Sequence, residues 1–149
     1  MSVKPHTTRA AETQPGGEAI VDALAQCAFV VTGALTRVGA EHDLSLTQLR
    51  VLGILRDRTL KMSELADFLG LERSTMSGLV ERAERRGLLQ RARNPVDSRA
   101  IDVSMTAAGL VLAEGVRKDL EHALAPVTSR LNADERRTVA RLLQRMLGR

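Results

Sequence analysis

Residues 62–105 place the tightest constraint on what this chain can fold into. Two short helical patterns follow one another across a glycine turn, and two alternating strand patterns come directly after them. Met62–Leu69 carries Leu65, Ala66 and Leu69 on one face, and Gly70 ends it as a residue able to adopt positive φ at a helix C-terminus. A second helix opens at Glu72 or Arg73, buries Met76, Leu79, Val80 and Ala83, and stops at Gly87. Helices joined by so short a turn form a helix-turn-helix. Leu88–Arg93 then reads as a strand, Asn94-Pro95 breaks it, and Ile101–Met105 reads as the return strand. Together they make a β-hairpin with a basic, polar tip.

Helical patterns flank this block on both sides. Ile20, Leu24, Cys27, Val31, Ala34 or Leu35, and Val38 recur at spacings of three and four, the stripe of one long helix. Leu49, Leu52 and Leu55 mark a helix over about Leu46–Arg56, which Ser45 or Thr47 can cap. Thr106 caps a further long helix with Ala113, Val116, Leu120, Ala123 or Leu124, Val127 and Leu131 on its stripe. Pro126 is expected to kink it or end it early. Asn132 and Glu135 open a last helix carrying Val139, Leu142, Leu143 and Met146. The fold class that follows is mainly α with a small β-hairpin: a winged helix-turn-helix with long N- and C-terminal dimerisation helices. Residues 1–17, with Pro5, Pro15, Gly16 and Gly17, read as a flexible tail. Residues 18–44 are the first dimerisation helix, 45–105 the winged lobe and 106–149 the C-terminal dimerisation helices. The end stripes carry more apolar surface than one chain hides, which points to a homodimer.

Composition narrows the partners. No apolar run approaches the roughly 18 residues of a membrane helix, and the polar N-terminus lacks a signal-peptide layout. The lone Cys27 leaves no internal disulfide framework, so a cytoplasmic, membrane-free protein is expected. The net charge is +4, and its location is uneven. Between Glu72 and Arg99 lie seven arginines against four acids, which places +3 of the imbalance in one stretch. Phe29 and Phe68 are the only aromatic residues, which argues against stacking single-stranded bases and for double-stranded DNA.

A helix entering the major groove needs one apolar face to hold it and one polar face to read. In Glu72–Arg86 the outward set includes Ser74, Ser77, Gly78, Glu81 and Arg85, with Arg73, Thr75 and Arg82 at its flanks. Small hydroxyl side chains at the positive end of a helix dipole approach base edges or phosphates, while Arg82 and Arg85 reach for phosphates further along. Arg91, Arg93 and Arg99 flank the tip Asn94–Ser98, where an arginine can enter a minor groove. Asp97 either pairs with Arg99 or Arg82 and pre-sets the tip, or simply starts the turn.

Other classes find little support. There is no glycine-rich phosphate loop, no nucleophile with a paired His in motif context and no metal-ligand cluster, so neither catalytic residues nor a cofactor are expected. His6, His42 and His122, even with Glu41 and Cys27, lack the three or four converging ligands of a zinc site. A helical dimerisation protein without specific DNA binding is the stronger rival, but it leaves the arginine-flanked hairpin unexplained.

The order of long helix, helix-turn-helix, Asp-x-Arg wing and two terminal helices resembles the multiple-antibiotic-resistance regulator (MarR) family. The matching stretches are MSELADFLG (Met62–Gly70), ERSTMSGLVERAERRGLL (Glu72–Leu89) and DSRAIDVSMT (Asp97–Thr106). The resemblance implies an obligate homodimer on a pseudo-palindromic operator, a repressor released by a small anionic or phenolic effector or by oxidation. It implies groove-facing roles for Ser74, Thr75 and Ser77, a backbone contact for Arg82 and a wing pair in Asp97 and Arg99. With Arg73, Arg85 and Ser98 these form the expected DNA-binding set. Gly78 departs from the family pattern, in which Arg is frequent there. By the same resemblance an effector pocket involves Val38, His42, Leu46, Leu49, Arg50 and Met105, with Arg50 as the anion partner. Peroxide sensors of the family activate a thiolate with Tyr hydroxyls, which this chain lacks, and Cys27 on the apolar stripe is expected to be buried and inert.

Overall fold

The computed structural model describes residues 16–148; the tail expected over 1–17 lies outside them except for Gly16 and Gly17. Six helices and three strands follow in order: α1 (Gly17–Glu41), α2 (Leu46–Leu55), β1 (Leu60–Lys61), α3 (Met62–Leu69), α4 (Arg73–Arg85), β2 (Leu89–Arg93), β3 (Ile101–Met105), α5 (Ala107–Thr128) and α6 (Ala133–Met146). The chain divides into two compact units, with the boundary between Thr32 and Gly33 inside α1.

Local chemistry sets most of the boundaries. Ser45, rather than Thr47, caps α2: its hydroxyl accepts the Gln48 N–H at 3.1 Å while the Gln48 side chain accepts the Ser45 N–H at 2.8 Å. Asn132 and Glu135 form the expected reciprocal box at the start of α6. Gly70 closes α3 at φ 64°, where an L side chain is strained. Replacing Ser45 by Ala is expected to cost about 1 kcal/mol and by Gly only a few tenths, read as thermal unfolding of the two variants. Pro126 neither breaks nor shortens α5 as much as expected. The helix runs two residues beyond it to Thr128, and the Ser129 N–H bonds the Ala125 carbonyl at 2.9 Å. A proline in the last turn forfeits one backbone bond without disturbing a turn that follows.

The hairpin gains a partner that periodicity could not reveal. β1 joins as a third antiparallel strand, in the order β1-β3-β2, with Leu60 opposite Val103 and Lys61 opposite Asp102. Leu89 faces Met105 and Arg93 faces Ile101 in the hairpin itself. Leu89, Val103 and Met105 turn inward and meet Leu55, Leu65, Met76 and Val80, which are buried almost completely. One contiguous core therefore holds the helix-turn-helix on the sheet.

Two apolar faces stay uncovered. Ile20, Val21, Phe29, Val30 and Val31 of α1 are exposed, and so are Val139, Leu142, Leu143 and Met146 of α6. Cys27 is likewise exposed, not buried as its place on the stripe suggested. By length and composition α1 is long and apolar enough to cross a membrane, with a mean hydropathy of 1.7 in its best window, of which 6% is buried. That corrects the expectation that no apolar run approaches the length of a membrane helix.

Candidate nucleic-acid interface

The site is built where the first turn of α4 faces the wing. The first intrahelical bond of α4 runs from the Met76 N–H to the Glu72 carbonyl at 2.9 Å, and the Glu72 side chain makes no cap. Arg73, Ser74 and Thr75 therefore sit at a helix N-terminus whose amides and dipole favour an anion. Met76, Leu79, Val80 and Ala83 are buried, which turns Ser74 and Thr75 fully outward and leaves Ser77 and Gly78 half-buried. The helix is thus oriented as its sequence pattern indicated.

Between this turn and the wing lies an open cleft of about 340 Å³ lined by Lys61, Ser63, Arg73, Ser77, Arg91, Asp97 and Arg99. Four cations border it against one carboxylate. The Arg91 guanidinium is braced from behind by Glu84, with Nη2 at 2.6 Å and Nε at 2.9 Å from Oε2. That carboxylate raises the Arg91 pKa further above its ordinary value and fastens β2 to α4. Lys61, Arg73 and Arg99 make no ion pair among the described residues, so the cleft keeps a net positive field.

Asp97 does not pair with the guanidinium of Arg99 or Arg82. Its Oδ1 accepts the backbone N–H of Arg99 at 3.1 Å and its carbonyl accepts the Ala100 N–H at 3.0 Å, so it shapes the turn. A residue that sequence reasoning passed over holds the other half of the tip. Asn94 Oδ1 accepts the N–H groups of Val96 and Asp97 at 2.9 and 2.8 Å, while its Nδ2 donates to Asp102 at 2.9 Å. Asn94→Ala is expected to speed hydrogen exchange at the Val96 and Asp97 amides about tenfold, because both lose their acceptors. Unchanged exchange would mean the tip holds its shape without Asn94. Arg82 lies back along its own helix: a Cβ built on Gly78 would sit 3.4 Å from Arg82 Nη1. Arg85 and Ser98 are exposed, Arg85 in the last turn of α4 and Ser98 on the wing loop.

The residues expected around an effector are spread over several places. Val38, Leu49 and Met105 are buried, while Leu46 is exposed. His42 bonds Asp119 at 2.7 Å. Arg50 donates to the Phe68 carbonyl at 3.1 Å and borders a different cleft, between α2 and the end of α3. A mainly apolar cleft of about 250 Å³ lies instead between α2 and α5, with Leu49, Leu52, Ala113, Val116 and Leu120 in its walls beside Arg56 and Arg117. Arg117 is engaged by Glu114 and Glu121 at 2.9 and 3.0 Å. Arg56 makes no ion pair among the described residues. No group of three or more His, Cys, Asp or Glu able to hold a metal occurs among them.

Comparison with known proteins agrees with this geometry. Residues 42–100 match the family model described as MarR family. An uncharacterised HTH-type transcriptional regulator of Bacillus subtilis, YfiV, is 35% identical over 65 residues, which are 43% of this chain and 41% of that protein. The homoprotocatechuate degradative operon repressor of Escherichia coli is 25% identical over 108 residues, 72% of this chain and 73% of the repressor. The chain thus spans under half the length of the first relative and about three quarters of the second. Among solved structures, NadR in complex with 4-hydroxyphenylacetate superposes with a TM-score of 0.70 at 20% identity, covering 96% of this chain and 97% of NadR. That likeness establishes a shared fold.

Proposed function

We propose that the chain is a member of the MarR family, whose model it matches over residues 42–100, and that it is a cytoplasmic, homodimeric, sequence-specific DNA-binding repressor and not an enzyme. The observation that carries this reading is the cation-bordered cleft between the α4 N-terminus and the wing. Its unpaired Lys61, Arg73 and Arg99 lie where a duplex backbone would pass while Ser74, Thr75 and Ser77 meet base edges. The uncovered faces of α1 and α6 are the surfaces a second copy would bury, which accounts for an apolar α1 without a membrane. A helical dimer without DNA binding has no use for three unpaired cations around one cleft.

A small anionic or phenolic effector fits the cleft between α2 and α5, with Leu49 from the expected set in its wall and Arg56 in place of Arg50 as the anion partner. His42, Leu46 and Met105 would act from its surroundings. The matching repressor's name refers to homoprotocatechuate degradation and NadR carries 4-hydroxyphenylacetate, which suggests aromatic acids as the first compounds to try. Enrichment of a random duplex pool on the protein is expected to converge on an inverted repeat with half-sites about one helical turn apart. A pool that stays random contradicts the proposal. On that repeat, 4-hydroxyphenylacetate is expected to weaken binding in the parent protein and to do so far less after Arg56→Ala. An equal response in both proteins would place the anion partner elsewhere.

A further inference from the structure

The turn between α1 and α2 is gripped from two sides by elements far apart in sequence. Asp43 adopts φ 53°, the left-handed region, and its chain reversal turns the carbonyls of His42 and Asp43 toward α4. Arg86, at the C-cap of α4, donates Nη1–H to the Asp43 carbonyl at 2.8 Å and Nη2–H to the His42 carbonyl at 3.2 Å. One guanidinium thus ties the end of the DNA-reading helix to this turn. On the other side the His42 ring donates Nε2–H to Asp119 Oδ2 on α5 at 2.7 Å. Gly39 keeps the turn tight, since a Cβ there would lie 2.5 Å from the Leu44 carbonyl oxygen. A side chain larger than hydrogen would push the turn away from both of its partners.

We propose that Arg86, His42 and Asp119 are positioning residues that fix the attitude of α4 through the α1–α2 turn and carry movements of α5 to it. Leu120, beside Asp119 on α5, lines the cleft between α2 and α5. A molecule entering that cleft displaces α5 from α2, draws on Asp119, and shifts the turn that Arg86 holds. The tie is serial, so breaking either link frees α4 equally. Arg86 acts through the turn and not on phosphate, because its fork is already spent on two carbonyls. This inference rests on the proposed DNA-binding reading of α4.

The test uses the duplex enriched by the parent protein and a random duplex of equal length, each titrated with the dimer at two salt concentrations. Arg86→Ala and Asp119→Ala are each expected to raise the Kd for the enriched duplex about tenfold while leaving the random duplex within about twofold, because pre-organisation is lost and phosphate contacts are kept. The double variant is expected to be no weaker than the worse single one, and Asp119→Asn, whose amide oxygen still accepts from His42, to stay within about threefold of the parent. Asp119 is half exposed on α5, so its variant keeps the test valid if Arg86→Ala unfolds. Losses that multiply in the double variant, or that fall equally on the random duplex with a shallower salt slope, overturn the proposal. A parent protein that enriches no duplex removes the regulator reading itself, a result distinct from either of these.

Discussion

Gly109→Ala is expected to destabilise the protein by about 3 kcal/mol and lower its melting temperature by roughly 10 °C. The reason is a backbone contact. A Cβ on Gly109 would lie 2.1 Å from the carbonyl oxygen of Leu88, an atom that already accepts the Thr106 N–H at 3.1 Å. Thr106 binds the same segment again, donating its hydroxyl to the Gly87 carbonyl and accepting the Gly109 N–H at 3.0 Å. The first turn of α5 is thereby pressed onto the junction between α4 and β2, and no flexible side chain can yield to the new methyl. Relief requires moving a helix or a strand, each anchored by buried Leu89 and Met105. Gly53→Ala is the matched control: nothing lies within 4 Å of its added Cβ, so helix propensity alone acts and stability rises by up to about 1 kcal/mol. Differential scanning calorimetry of the two variants checks both signs. A Gly109→Ala protein as stable as its parent would mean α5 is not seated on Leu88.

Arg99→Ala is expected to weaken binding to enriched and random duplexes alike, about tenfold at low salt, with the salt slope shallower by about one. Arg99 borders the cleft, makes no ion pair and sits on a tip whose turn Asp97 and Asn94 hold without using its guanidinium. Its charge is therefore free to meet a phosphate. Because the side chain braces nothing in the protomer, the variant is expected to elute as a dimer with an unchanged melting temperature. Fluorescence anisotropy across a salt series measures the slope. An unaltered slope would mean that the wing does not reach the duplex.

How far the sequence discloses this architecture depends on the range of the interaction. Helices announced by a stripe and a cap, such as α2 with Ser45 and α6 with Asn132, are legible because stripe and cap are local. The inward face of α4 is legible for the same reason, and so is the hairpin. β1 is not, because two residues have no period; only pairing with Val103 and Asp102 defines it. The polar ties are also illegible: Arg86 reaches a turn 43 residues away and His42 a helix 77 residues away. Arg50, expected as an anion partner, donates to the Phe68 carbonyl, while Arg56, at the C-cap of the same helix, borders the apolar cleft. Position along a helix does not reveal which neighbour a long side chain finds. The stripe of α1 announced an apolar face but not what covers it, and Cys27 is exposed in the protomer on that account.

The central claim is specific recognition of duplex DNA by α4 and the wing. Its most direct measurement is the Kd for the enriched inverted repeat against a scrambled duplex, at about 50 and 200 mM salt. A preference of about a thousandfold or more is expected at both salt concentrations, with each affinity falling steeply as salt rises. Equal affinity for the two duplexes would contradict it.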